Sequence, residues 1–216
     1  VSADDGAFRI VFDFGGVLFN WRPAELLRRH LPRQATDAAS IRALVAGVFG
    51  GFGGDWAQFD RGVLDAPELV RRIATRTGLD ARELANLVDG IPLSLTPKSD
   101  TVDLVMRLRA AGAPLHFLSN MPLQYAEHLD DTHPDLMAAF RSGLYSSRVG
   151  LVKPEAELYD LASRRFNASP DRLVLLDDMP ANVDAAHANG WKALQFTDAH
   201  SCEQALRANT WWPQGA

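Results

Sequence analysis

Three short apolar runs, each stopping at a polar side chain, constrain the fold of this 216-residue chain more than anything else in it. Ile10-Val11-Phe12 stops at Asp13, Leu115-His116-Phe117-Leu118 at Ser119-Asn120, and Leu173-Val174-Leu175-Leu176 at Asp177-Asp178. Runs this short and this apolar read as strands buried on both faces of a parallel sheet. Helical patterns alternate with them. One follows Asp100 and ends at Gly112, one carries Leu158, Leu161, Ala162 and Phe166, and one runs from Asn182 to Asn189 before a further strand, Trp191–Phe196. The alternation predicts an α/β fold with a Rossmann-like parallel sheet. Right-handed crossovers put all strand C-termini along one edge. Asp13, Ser119-Asn120 and Asp177-Asp178 therefore meet in one crevice, joined by Lys153 at a helix entrance beside Pro154.

Between the first strand and this alternating region the pattern is helical throughout. Pro23 opens one helix, Asp37 to Val48 contains a second, and Asp65 and Asp80 begin capping-box patterns for two more. The expected organisation is a core of residues 1–19 and 96–216 with an inserted four-helix cap at 20–95. Gly50-Gly51-Phe52-Gly53-Gly54 breaks the insertion just before an aromatic segment that contains Trp56, Phe59 and Asp60.

The composition narrows the function. With 47% hydrophobic residues and a net charge of -5, the chain is expected to be globular, with no nucleic acid as partner. No apolar run reaches membrane-spanning length, and Val1 to Gly6 has no apolar leader pattern, so no membrane is expected. One cysteine, Cys202, fits a reducing compartment, and a cytoplasmic protein is expected. The histidines show no ligand spacing.

Asp13, Asp177 and Asp178 crowded together would repel one another, and a hard divalent cation such as Mg²⁺ would neutralise them. Asp178 is favoured as the direct ligand, with Asp177 direct or acting through water. A cation, a lysine and the Ser119 hydroxyl form a phosphate-binding set. A carboxylate can itself be the nucleophile, and Asp13, after the first strand and before Gly15-Gly16, is the natural candidate.

The ordered set Asp13-Phe14-Gly15-Gly16-Val17-Leu18, Leu118-Ser119-Asn120, Lys153-Pro154 and Leu175-Leu176-Asp177-Asp178 resembles the haloacid dehalogenase-like hydrolase superfamily over nearly the whole chain. Within it, the chain looks like the phosphatase branch with a helical cap, near the α-glucose-1-phosphatase type and the N-terminal phosphatase of soluble epoxide hydrolases. The resemblance implies Asp13 as nucleophile and metal ligand, the Gly15 carbonyl and Asp178 as further ligands, and Ser119, Asn120 and Lys153 on the phosphate. The implied substrate is a small phosphorylated metabolite, such as a sugar 1-phosphate, hydrolysed with Mg²⁺ by a monomer or homodimer. Most superfamily phosphatases carry a second aspartate two residues after the nucleophile. Here that position is Gly15.

Two rival readings are a 2-haloacid dehalogenase, which needs no metal, and a phosphate-binding regulatory domain without turnover. Asp177-Asp178 opposes the first, because two acids would repel a carboxylate substrate. Trp21, at the entry to the insertion, and Trp56 and Asp60, at its glycine-flanked bend, are the expected substrate contacts. The tryptophans could equally be cap core. Asp60 is also the first cap residue to consider as a substitute acid.

Overall fold

The computed structural model describes residues 6–51 and 53–213. Val1 to Asp5, most of the segment read for a leader, lie outside them, as does Phe52 in the glycine-rich bend. The elements run β1 (Arg9–Phe12), α1 (Pro23–His30), α2 (Ala38–Phe49), α3 (Asp55–Asp60), α4 (Ala66–Thr77), α5 (Ala81–Ser94) and α6 (Ser99–Ala110). Then come β2 (Leu115–Ser119), α7 (Leu123–Thr132), α8 (Pro134–Met137), β3 (Ser142–Tyr145), α9 (Ser146–Val149) and α10 (Ala156–Arg165). A 3₁₀ turn at Pro170–Arg172 leads to β4 (Leu173–Asp177), α11 (Pro180–Ala188), β5 (Lys192–Gln195) and α12 (Ala199–Ala208).

All five strands are parallel, in the order β3-β2-β1-β4-β5. Successive side chains along a strand point to opposite faces, so the central strands feed two cores. Ile10, Phe12, Val174 and Leu176 join one apolar cluster, and Val11, Leu173 and Leu175 join the other. The β1–β4 boundary is where the strand order reverses, which is where an open α/β sheet leaves a crevice. Asp13 and Asp177-Asp178 follow the two strands that flank it.

Between residues 20 and 95 the expected four helices become five. The addition is α3, six residues long, which sequence reading takes for part of a bend because its glycine flanks mask so short a helix. Asp65 and Asp80 cap their helices as expected, accepting from Glu68 N at 2.9 Å and from Arg82 N and Glu83 N at 2.9 and 3.0 Å. Asp100 does not: α6 already starts at Ser99, and Asp100 accepts from Thr101 N inside the first turn. The helix expected at Pro154 begins at Ala156, with Glu155 as its N-cap residue and Lys153 turned to the site. β3 is not legible in the sequence. It is an edge strand whose first two residues are only half-buried, so Ser142 and Gly143 are tolerated there.

Gly143 tests the packing of this edge. It pairs with Phe117 across β2–β3, and a Cβ on it would fall inside the Phe117 ring. That ring packs with Phe14, Phe140 and Tyr145 next to the turn that follows β1. Overpacking of this kind costs about 1–3 kcal/mol. Gly143→Ala should therefore lower the unfolding free energy by that amount, seen as a lower urea midpoint with the m-value unchanged.

Candidate active site

Asp13 is the first residue after β1, and its N–H bonds the Leu176 carbonyl of β4 at 2.9 Å. Its Oδ1 accepts from Phe14 N at 2.7 Å, which fixes the carboxylate at the turn. Gly16 sits at φ +77, and a Cβ there would collide with the Asp178 carboxylate. A glycine at position 16 thus lets Asp178 lie against the turn that carries Asp13. Gly15 is not in the positive-φ region, and a Cβ on it would meet only Trp21, at 3.8 Å. Lys98 closes the turn from below by donating to the Gly16 carbonyl at 2.9 Å.

Lys153 lies at the centre, 1% exposed, with Nζ 3.0 Å from Asp13 Oδ1 and 2.6 Å from Asp177 Oδ2. Burial works against its charge, but the two carboxylates outweigh burial and hold its pKa above the ordinary lysine value. An ammonium has three donors, so one N–H is left for a ligand. Asn120 fixes the lysine's main chain reciprocally, donating to the Lys153 carbonyl at 2.9 Å and accepting from its N–H at 2.8 Å. The Asn120 side chain, expected on the phosphate, thus positions Lys153 and also lines the cleft above it. Ser119 differs: its Oγ is buried and has no hydrogen-bond partner among the described residues. A buried hydroxyl without a partner is costly, and a polar group of a ligand would satisfy it.

Asp177 and Asp178 separate cleanly. Asp177 accepts from Lys153, from Asn182 Nδ2 at 3.0 and 3.1 Å, and from Met179 N at 2.9 Å. With both oxygens hydrogen-bonded it orients the lysine, while its carboxylate stays within reach of those of Asp13 and Asp178. Asp178 has no ion pair among the described residues. Burial and the Asp177 charge raise its pKa, against the opposing pull of Lys153. Asp13 is pushed up to about 7, by burial first and then, against Lys153, by the charges of Asp177 and Asp178.

Carboxylate oxygens of Asp13, Asp177 and Asp178 lie within 4.8 Å of one another, with the single cation Lys153 in contact. The set is short of positive charge, and its all-oxygen chemistry suits a hard divalent cation.

Above these groups is a cleft of about 220 Å³. Trp21, Phe49, Trp56, Ile91, Leu95, Met121, Tyr125 and Met179 line it, with Asp60 the one charged group contributed by residues 20–95. The aromatics form a continuous edge-to-face wall: Trp21–Phe49 at 5.3 Å, Phe49–Trp56 at 4.7 Å, Trp56–Phe59 at 5.6 Å and Phe59–Tyr125 at 5.6 Å. The two tryptophans are thus both packing and lining, which the sequence left open. Lys98 and Asn182 are not singled out as site residues in the sequence reading. Asn182 could have been found from its place one turn into the helix that follows Asp177-Asp178.

The haloacid dehalogenase-like hydrolase family model matches residues 9–190. A sesquiterpene phosphatase of Aspergillus oryzae is 26% identical over 200 residues, 91% of this chain and 93% of that protein. A (S)-2-haloacid dehalogenase of Pseudomonas putida is 30% identical over 140 residues, 64% of this chain and 60% of that one. A Bacteroides thetaiotaomicron enzyme of the family, solved with magnesium and inorganic phosphate, superposes with a TM-score of 0.67 at 17% identity, over 89% of this chain and 96% of that one.

The charge deficit makes a prediction that needs no turnover. A ligand at 100 times its Kd stabilises by about 2.7 kcal/mol, or roughly 5–10 °C for a chain of this size. Mg²⁺ should raise the melting temperature of the wild type accordingly, measured by calorimetry, and Asp178→Asn should abolish most of the rise.

Proposed function

The chain belongs to the haloacid dehalogenase-like hydrolases, and from that premise we propose that it is a Mg²⁺-dependent phosphatase working through phosphorylated Asp13. The observation that carries this reading is the spare N–H of Lys153 next to the fixed Asp13 carboxylate at the floor of the cleft, with a partnerless Ser119 hydroxyl at the end of the neighbouring strand β2. Lys153 and Ser119 bind the phosphoryl oxygens. Asp13 attacks phosphorus, the ester oxygen leaves toward the cleft, and water then hydrolyses the aspartyl-phosphate. Asp177 and Asn120 keep the lysine in place throughout. Asp13, Asp178 and the Gly15 carbonyl would hold Mg²⁺, which supplies positive charge to the carboxylates and the phosphoryl group.

The cleft also speaks to the substrate's body. Several hydroxyls of a sugar 1-phosphate would need partners, and this wall offers aromatic and aliphatic groups with one carboxyl. The lining favours a monoester with an apolar body over the sugar. The likeness to a sesquiterpene phosphatase supports the same direction. We place residues 20–95 as a cap whose aromatic wall sets this preference. The dehalogenase reading is less well supported, since Asp178 would face a carboxylate substrate without a counter-ion.

Each buried methylene contributes about 0.8 kcal/mol, so two more give about tenfold. An isoprenyl monophosphate should exceed glucose 1-phosphate by at least about tenfold in kcat/KM, measured as phosphate release with Mg²⁺. Trp56→Ala should reduce that ratio. Asp13→Asn should abolish release from both, whereas halide release from 2-chloropropionate should be absent in the wild type.

A further inference from the structure

In an in-line displacement on phosphorus, the leaving oxygen departs on the side opposite the nucleophile. With Asp13 below, that oxygen points up into the cleft. An unactivated alkoxide leaves poorly unless it gains a proton, and general acid catalysis of such a step is worth about 10²–10⁴-fold. The groups around Asp13 do not offer one: Lys153 and Asp177 are held on each other, and Gly15 has no side chain.

Resting on the phosphatase reading above, we propose that Asp60 is the catalytic acid that protonates the leaving oxygen and the catalytic base that activates the hydrolytic water.

Asp60 ends α3 and lines the same cleft as Asp13 and Lys153. It is half-buried, and its carboxyl makes no hydrogen bond or ion pair among the described residues. Its backbone is held firmly against the core. The Asp60 carbonyl accepts from Ser146 Oγ at 2.5 Å, and the same Oγ accepts from Met121 N at 2.8 Å. The next residue, Arg61, donates through Nη1 to the Gly150 carbonyl and to Glu155 Oε2, both at 2.9 Å, and its Nη2 grips Glu155 Oε1. Glu155 is two residues from Lys153, so this clamp ties the position of Asp60 to that of the lysine. A free carboxyl on a clamped backbone is the arrangement that positioning for proton transfer requires. Burial, then the Asp13 charge, push Asp60 up to about 8 against the pull of Lys153, which keeps a proton on it at neutral pH.

The balance is complete. As an Asp13 oxygen bonds to phosphorus, the P–O bond to the leaving group breaks, and that oxygen takes the Asp60 proton. Asp60, now a carboxylate, takes a proton from the water that attacks phosphorus, and the Asp13–phosphorus bond breaks to restore the Asp13 carboxylate.

The experiment is a series of phosphate monoesters graded by leaving-group pKa, from p-nitrophenyl to simple alkyl, with kcat/KM measured for wild type, Asp60→Asn and Asp60→Ala. This parameter reports steps up to the loss of the leaving group. Nitrophenolate leaves without a proton, so both variants should keep its kcat/KM within about threefold. On alkyl esters they should lose about 10²–10⁴-fold. A loss equal across the series, or no loss, overturns the proposal. So does a wild-type dependence on leaving-group pKa as steep as that of Asp60→Asn, a result that needs no variant to fold. If the wild type releases phosphate from no ester, the phosphatase reading fails and this proposal with it. Release with a parallel loss overturns the role of Asp60 alone.

Discussion

One buried lysine between two carboxylates holds this site together. Lys153 is almost fully enclosed, and a charge so placed persists only when its partners are fixed. Asp13 supplies one partner from the end of β1, and Asp177 supplies the other from the end of β4. Asn120, at the end of β2, secures the main chain of the lysine. Three strand ends are therefore pinned through a single residue. The parallel sheet sets their spacing, and the ion pairs in turn require that spacing to be kept.

The same arrangement divides two adjacent acids by task. Asp177 is saturated by Lys153, Asn182 and Met179 N and holds the lysine. Asp178, one residue on, is turned toward Gly16, where only a glycine leaves it room. The charge that Lys153 does not balance falls on Asp13 and Asp178. Burial first, and the neighbouring carboxylates after it, raise the pKa of both, and a cation would favour their charged forms. Over this polar floor lies an almost wholly apolar roof, which lets one end of a substrate be held by charge and the other by burial.

Much of this was legible in the sequence, for physical reasons that differ by residue. Buried parallel strands must be apolar, so β1, β2 and β4 announce themselves and their terminal polar residues mark the crevice. Asp65 and Asp80 are legible because a cap is a local bond. β3 is not, since an edge strand tolerates serine and glycine. Nor is the difference between Asp177 and Asp178, which depends on how the chain turns after β4. Asn120 is flagged by its place at the end of β2, but its bonds to Lys153 span 33 residues and leave no local trace. The clamp from Arg61 to Glu155 spans 94. Trp21 and Trp56 were ambiguous between packing and lining because they do both.

The central claim is that Asp13 attacks phosphorus and carries the phosphoryl group. Its most direct test is to quench the wild type in acid during turnover of p-nitrophenyl phosphate with Mg²⁺ and map the peptides by mass spectrometry. A phosphoryl group should appear on the peptide carrying Asp13, vanish once the substrate is exhausted before quenching, and be absent from Asp13→Asn. Full turnover with the Asp13 peptide unmodified at every time point, and an Asp13→Asn variant that still releases phosphate at the wild-type rate, would contradict the account.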